Sequence, residues 1–404
     1  MRVCIVRQRD VYEPQIQRVA EALTRAGYEV EVLLMRGKGQ PRTTEVNGVR
    51  IIGLRASLAR GSKLRYAFDY GWFLALAGAT LTARHLRRRY AAIQVYTMPD
   101  FLVFAGALPK LFGARVIAYM NEPTPELFET LYETTRFDRP LQRIEQAVLR
   151  FADRAITVTE QLKARYVERG ADPSKITVVL NAADSASDTA GWTPPPDQPR
   201  DEFVVMAHGA IEDRYGHDTI VEAARLLRDE LPDLRVVFTG RGSNEEELRQ
   251  LIATSGTGDI VRFEGFVSRE RLNDLLHTAD VGIVAQKASP YSHLVHTYKM
   301  VDYWIFGLPV IASRLHATAD VYDDSVIEYY EPGDPADLAR AIRRLHDDPA
   351  RRAELAASGR HAEAHSGWAV QQETFLGVYR DLLGEPDPGA TVGATSAPGS
   401  SPAP

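Results

Sequence analysis

Lys299 and Asp302 stand three residues apart in the stretch Thr297–Ser313, TYKMVDYWIFGLPVIAS. The pattern predicts a helix starting near Thr297 or Tyr298 and stopping at Gly307, with a strand at Pro309–Ala312. The unbonded amides of a helix start carry about half a positive charge. A diphosphate would sit well there, and Lys299 in the first turn adds a full cation. Asp302, near the same face, could accept two hydrogen bonds from vicinal ribose hydroxyls. The same spacing also fits an ordinary amphipathic helix with a surface Lys–Asp pair.

Two further stretches could approach a phosphate. In His208–Thr219, HGAIEDRYGHDT, Gly209 would allow close backbone approach and Arg214 could fork onto a phosphate. A loop with a solvated arginine reads equally well. In Phe238–Leu248, Gly240-Arg241-Gly242 sits between a predicted strand and a predicted helix. It lacks the third glycine of a dinucleotide fingerprint, so NAD is not inferred. His293 and His296 are spaced i, i+3, but a metal would need a third ligand. His208 or His217 could be offered, and nothing in the spacing demands either. His296 could instead touch a sugar hydroxyl, and His208 at a strand end reads as a packed residue.

These groups need elements to hold them. The first half alternates strands and helices: strands at Arg2–Val6, Val30–Leu34, Arg50–Leu54, Ala92–Tyr96, Arg115–Met120, Arg154–Thr159 and Ile176–Leu180, with helices between most of them. That rhythm predicts βαβ units and a parallel sheet. Ser185–Arg200, with three consecutive prolines, reads as a linker. Alternation resumes at Phe203 and runs to a helix at Asp337–Asp347. Trp368–Leu383 is a last helix, and the small-residue, proline-rich end after it reads as unable to fold. The expected fold is α/β: two Rossmann-like doubly wound parallel-sheet domains with a cleft between them. The expected boundaries are 1–184, a linker 185–200, 201–367, a C-terminal helix 368–384 returning to the first domain, and a disordered tail 385–404. Ligands of doubly wound sheets bind at the carboxyl ends of the strands.

Composition limits the partners. The 404 residues carry 48 basic and 54 acidic side chains, a net charge of −6, so no global basic field for nucleic acid exists. Any anion site must be local. The single cysteine, Cys4, cannot form an internal disulfide, which points to a reducing compartment. The opening MRVCIVRQRD lacks the apolar core of a secretory leader, so a cytoplasmic location is expected. The uncharged stretch Tyr70–Ala83 is shorter than the about 20 residues that cross a bilayer. Within Lys63–Tyr90, however, Tyr66, Phe68, Trp72, Phe73 and Leu74 precede Arg84, Arg87, Arg88 and Arg89. That combination could dock peripherally on anionic lipid, or be a core helix with a basic last turn.

The motifs taken together resemble glycosyltransferase family 4, whose members have the GT-B fold. Gly209 to Gly216 with Arg214 matches its G-x-x-x-x-R/K-x-G loop. Gly240–Leu248 resembles its glycine turn, Gly265-Phe266-Val267 its G-F-V segment, and Lys299–Ser313 its K-x-x-E-Y-x-x-x-G-x-P-V-I-A-S run. Tyr96–Asp100, Pro125–Phe128 and Asn181–Asp184 resemble first-domain segments of members that build cell-surface glycans. The resemblance covers residues 1 to about 384 in outline.

The resemblance implies a retaining transfer from a nucleotide sugar, of UDP or GDP type, with no metal and no other cofactor. Arg214, Lys299 and the amides at Tyr298 would hold the diphosphate, Asp302 the ribose. Gly209 and Gly240 would line the nucleotide site, with Gly265 and Phe266 beside the base. Asn121 and Glu122 would line the sugar side, with the acceptor coming from the first domain. No Asp-x-Asp triplet occurs, which agrees with a metal-free site.

The chain departs from the family at several points. Asp302 replaces the usual Glu and is one methylene shorter. Leu294 stands eight residues earlier where many members have another Glu. Asn121 stands where a His is common. The loop Arg7–Pro14 lacks a Gly-Gly, and Arg7 and Arg9 are read as solvated rather than as anion contacts. The acceptor would be a glycan, a lipid-linked intermediate or a small molecule. Three other readings share these features: a silent scaffold partnering another transferase, a nucleotide-sugar 2-epimerase, and a two-domain solute-binding protein.

Overall fold

The computed structural model describes residues 1–9, 12–37, 39–56, 63–182, 189, 191–195 and 201–385. Most of the expected linker, the expected tail after residue 385, and Ala183 and Asp184 lie outside the described residues, as does the side chain of Tyr66.

The first sheet has eight strands: β1 (Arg2–Val6), β2 (Glu29–Met35), β3 (Thr43–Val46), β4 (Val49–Leu54), β5 (Ala92–Tyr96), β6 (Arg115–Met120), β7 (Arg154–Thr157) and β8 (Ile176–Val178). Their order is β3-β4-β2-β1-β5-β6-β7-β8. β1 is buried along its whole length, which is why its sequence is a continuous apolar run rather than an alternation. It pairs in parallel with β2 on one side and β5 on the other. The sheet order therefore reverses at β1.

One strand departs from the expected all-parallel sheet. β3 pairs antiparallel with β4 at the edge. Asn47 and Gly48 connect them with φ of 50° and 77°, the two positive values that a tight hairpin needs. The helices Thr124–Tyr132, His316–Ala319 and Pro349–Ser366 and the strand Glu328–Tyr330 were not expected. The predicted helix Phe101–Phe112 is a 3-10 segment, Asp100–Gly106, continued by a short α-helix, Ala107–Leu111.

Beside β2, buried Glu31 gathers Arg2 at 2.6 Å, the Tyr90 hydroxyl at 2.6 Å and Arg84. Burial alone would raise the Glu31 pKa, but hydrogen bonds from Arg84, Arg2 and Tyr90 hold it down at about 2. Arg88 pairs with Glu29. Two of the four arginines offered for lipid thus have acid partners, and Phe73 is buried, while Phe68 and Trp72 are exposed. No described helix is long and apolar enough to cross a membrane.

The second sheet has six strands: β9 (Phe203–Ala210), β10 (Leu234–Arg241), β11 (Val261–Phe263), β12 (Val281–Val284), β13 (Val310–Ser313) and β14 (Glu328–Tyr330). Their order is β11-β10-β9-β12-β13-β14, and every assigned pairing is parallel. Here the order reverses at β9. Helices cover both faces, with Ile220, Val221, Ala224 and Ile342 packed in one core and Met300, Tyr303 and Trp304 in the other. Trp192, from the few described residues before this sheet, donates its indole N–H to Asp274 at 3.0 Å and sets its ring against Phe306.

Contact density divides the chain into two units. One is Met1–Tyr119 with Ala147–Ala155 and the chain from Phe375 onward. The other is Met120–Gln146 with Ile156–Thr374. Within the first, the Tyr379 hydroxyl donates to Gln94 at 2.8 Å and its ring packs on Tyr28.

Candidate functional site

The carboxyl end of β9 lies at the reversal of the second sheet, the place where open α/β sheets hold ligands. Two loops meet there. The loop after β9 carries Arg214, and the loop after β12 runs to the helix Lys299–Ile305. They are tied by the Lys287 amide donating to the Arg214 carbonyl at 3.0 Å. Lys287 itself is neutralised by Asp213 at 2.7 Å and Asp218 at 2.9 Å.

Lys299 is placed by two contacts. Its Nζ lies 3.8 Å from the centre of the Tyr215 ring. Its stem crosses Gly209, where a Cβ would stand 2.5 Å from Lys299 Cε. Gly209 also has φ of +110°, so the position takes glycine for both reasons. Burial, with the charge of Arg214 second, pushes the Lys299 pKa down to about 7. The Arg214 guanidinium lies 4.9 Å from the Tyr215 ring and 6.0 Å from that of Tyr291. Its Nε is buried without a hydrogen-bond partner among the described residues. Among those residues neither cation forms an ion pair.

The helix begins at Lys299, with Tyr298 as its N-cap, and has seven residues. Asp302 is 2% exposed. Its Oδ1 accepts from both Nη atoms of Arg269 at 3.3 Å, and its Oδ2 lies 3.7 Å from His208 Nε2. His208 is 6% exposed. Burial, then the charges of Lys299 and Arg269, lower its pKa to about 3, so its imidazole is neutral. Tyr303 fixes it: the rings meet edge-on with centroids 5.0 Å apart, and the Tyr303 hydroxyl accepts from the His208 amide at 3.3 Å. The same hydroxyl reaches the carbonyls of Met206 and Ile283, on β9 and β12. Tyr303 fits because residue 282 is glycine; a Cβ there would stand 2.2 Å from the ring.

A cavity of about 320 Å³ opens beside His208, lined by Gly209, Thr239, Gly240, Arg241, Phe266 and Leu272. Gly265 is structural: its carbonyl accepts from the Gly240 amide at 2.8 Å and the Thr239 hydroxyl at 2.7 Å. Phe266 is 68% exposed, with the Arg241 guanidinium 4.5 Å from its ring.

Glu122, after β6, accepts from the Tyr291 hydroxyl at 2.7 Å. Asn121 is buried with its Oδ1 unpartnered among the described residues. Leu294 contributes its carbonyl, which accepts from Thr159 at 2.6 Å. His296 is buried with both ring nitrogens unpartnered among the described residues, and burial lowers its pKa to about 4. His293 sets its ring at a tilt against that of His316, with centroids 4.4 Å apart. No three His, Cys, Asp or Glu side chains gather as a metal set among the described residues.

Arg7 corrects an expectation. It is buried, not solvated, because Glu13 at 3.4 Å, the Thr97 carbonyl and the Tyr96 ring take up its charge. Arg9 is exposed beside Glu13.

The structure thus groups Gly209, Arg214 and Lys299 around Tyr215, and sets Gly240 and Phe266 on one cavity. Sequence reasoning missed Tyr215, Arg269, Tyr291 and Tyr303. Aromatic contacts with Arg214 and Lys299, and a pair spanning residues 269 and 302, leave no trace in local spacing.

Comparison with known proteins bears on the family and the fold. The family described as "Glycosyl transferases group 1" matches residues 202–348, and "Glycosyl transferase 4-like domain" matches residues 12–182. The D-inositol 3-phosphate glycosyltransferase of Acidothermus cellulolyticus is 32% identical over 61% of this chain and 57% of that protein. That of Kineococcus radiotolerans is 27% identical over 90% of this chain and 88% of its own. The chain spans about three fifths of the length of the first such relatives. Sucrose-phosphate synthase from Thermosynechococcus elongatus superposes with a TM-score of 0.78 at 21% identity, covering 94% of this chain and 98% of that one. Anabaena HepE in complex with UDP-glucose superposes with a TM-score of 0.71 at 15% identity, covering 94% and 100%. Both sheets and both halves of the sequence therefore lead to one assignment: the chain belongs to the family 4 type of glycosyltransferases, with the GT-B fold.

Proposed function

We propose that this chain transfers a glycosyl group from a nucleoside diphosphate sugar to a hydroxyl acceptor, with retention and without a metal ion. The observation that carries this reading is the pair Arg214 and Lys299. They are two cations without a carboxylate partner among the described residues, at the end of a doubly wound sheet. Breaking the bond from the sugar to the diphosphate builds negative charge on the leaving oxygen. Fixed cations there stabilise the transition state more than the ground state. The cavity at Phe266 and Arg241 has the apolar lining and the cation that a base needs.

The relatives narrow the first trials. HepE has been solved with UDP-glucose, which makes uridine and glucose the first donor to offer. The relatives named for D-inositol 3-phosphate make a phosphorylated polyol the first acceptor, ahead of a glycan or lipid-linked one. A cavity of about 620 Å³ has Glu129, Glu133, Asp213, Arg214 and Lys287 in its wall; its carboxylates would meet the hydroxyls of such a molecule and Arg214 its phosphate.

The test is thermal unfolding with UDP, GDP and ADP in the presence of EDTA, followed by turnover with the matching sugar donor. A ligand at 100 times its dissociation constant adds about 2.7 kcal/mol of stability. A shift with one nucleotide, and product formation that needs acceptor, are expected. Absence of any shift would overturn the donor site. An epimeric sugar formed from donor alone would replace transfer by epimerisation.

A further inference from the structure

The arginines at the end of the helix Lys63–Arg87 do not share one fate. Arg84 and Arg88 are paired with Glu31 and Glu29. Arg87 and Arg89 are exposed, and neither has a carboxylate partner among the described residues. Arg89 donates instead to the Phe112 carbonyl at 3.4 Å, and His85 Nε2 lies 3.2 Å from the same oxygen. These contacts hold the turn after the short helix Ala107–Leu111 against the end of the long one. Apolar side chains stand in water there: Leu86, Leu108, Phe112 and Leu111, the last 80% exposed. Toward the other end of the long helix Phe68 and Trp72 are exposed as well. The exposed positions between Trp72 and Leu86 are Ala75, Ala79 and Ala83. The outer face is therefore apolar from Phe68 to Leu86, about 27 Å along the axis. The inner face, with Phe73, Ala77 and Leu81, is buried. A helix apolar on both faces is built to be covered on both. The Trp72 indole N–H donates to the Arg55 carbonyl at 3.3 Å, so the ring presents no unmet polar group to a covering phase.

Charge identifies the occupant. Between residues 68 and 112 the acids are Asp69 and Asp100, and both are buried. The chain as a whole is acidic, with a net charge of −6, yet this stretch shows water two arginines without acid partners and no carboxylate. We propose that the face docks on an anionic lipid bilayer. Phe68, Trp72, Leu111 and Phe112 enter the boundary between headgroups and acyl chains, and Arg87 and Arg89 meet lipid phosphates. A second copy presenting the same stretch would bring no exposed carboxylate to either arginine; a bilayer brings an anion for each and hydrocarbon for the rings. All of these residues lie in the first unit. Docking therefore asks nothing of the nucleotide site, and it does not rest on the proposed function.

The experiment is flotation of the full chain with vesicles of phosphatidylcholine, alone or mixed with phosphatidylglycerol. Wild type is expected to float with the anionic vesicles at low salt, to stay behind with the neutral ones, and to be released by high salt. Replacing both Arg87→Gln and Arg89→Gln is expected to weaken partition about 25-fold, roughly fivefold for each charge. Vesicles with brominated acyl chains locate the face. Of the four tryptophans, Trp72 is expected to carry the quenching, so Trp72→Phe should lose most of it. Should the double arginine variant fail to fold, the Trp72→Phe comparison decides. Absence of flotation with anionic vesicles overturns the proposal, and so does equal flotation with neutral ones. Unchanged partition in the folded arginine variant, or unchanged quenching in Trp72→Phe, overturns it too. Self-association of wild type that Trp72→Ser abolishes, without flotation, gives the face to a second copy instead. None of these results touches nucleotide binding, so the proposed function stands or falls separately.

Discussion

Both sheets reverse their strand order at the first strand, and each carries an arginine on the loop that follows it. The two arginines have opposite fates. Arg7, after β1, is buried against Glu13, the Thr97 carbonyl and the Tyr96 ring. Arg214, after β9, has aromatic neighbours and no ion pair among the described residues. Lys299 repeats the second pattern. The first loop uses its cation to hold itself together. The second withholds its cations from internal partners, at a cost in self-repulsion that an incoming anion relieves. Position in the topology marks where a ligand can sit; the state of the charges is what distinguishes the second place as the proposed anion site.

Four measurements break or sharpen that contrast. The largest effect belongs to the unpaired cations: Lys299→Ala or Arg214→Ala should each lower kcat/KM by about 10²- to 10³-fold. Folding stability should change little in either. Turnover near wild type in both variants would erase the distinction.

Paired charges should behave in the reverse way. Glu31→Ala, which strands Arg2 and Arg84, should cost about 3–5 kcal/mol in chemical denaturation and leave nucleotide affinity alone. The pH dependence has the matching sign. A carboxyl held at about 2 contributes stability above the ordinary carboxylate range and loses it as pH falls through that range toward 2. Arg7→Met is the smaller version, expected at about 1–3 kcal/mol of stability with unchanged nucleotide binding. A loss of affinity in Arg7→Met would mean that the first loop also meets an anion.

The smallest effect is a proton count. Lys299 in the free protein has a pKa of about 7, and a bound diphosphate raises it. Binding at pH 8 should therefore take up close to one proton, and binding at pH 6 almost none. Calorimetry in two buffers of different ionisation enthalpy reads this directly. Equal uptake at both pH values would remove Lys299 as the responding group.

Much of this was legible in the sequence. The strand at Arg2–Val6 and the helix Pro14–Arg25, followed by Gly27 with φ of 86°, follow from local periodicity and a glycine stop. The loop from Gly209 to Gly216 and the helix that carries Lys299 and Asp302 were readable because each lies within one short stretch of sequence. The edge strand Thr43–Val46 has its own local signal in Asn47-Gly48, a dipeptide suited to a tight hairpin. Arg7 was not readable: whether an arginine after a strand is solvated depends on Tyr96 and Thr97, some ninety residues away. The Arg269–Asp302 pair and the ring of Tyr215 under Lys299 fail for the same reason. Spacing rules reach a few residues along the chain, and the electrostatic fate of a side chain is decided across strands.

The fit of Tyr303 over Gly282 constrains more than one protein. The phenol occupies the space of a missing side chain on β12 while its hydroxyl reaches the carbonyls of two strands. Neither residue can change alone: an alanine at 282 collides with the ring, and a smaller residue at 303 leaves a void and loses the imidazole's support. Substitutions at these two positions should therefore appear together across descendants of this sequence, and a library that randomises both at once should recover folded variants that single replacements never reach.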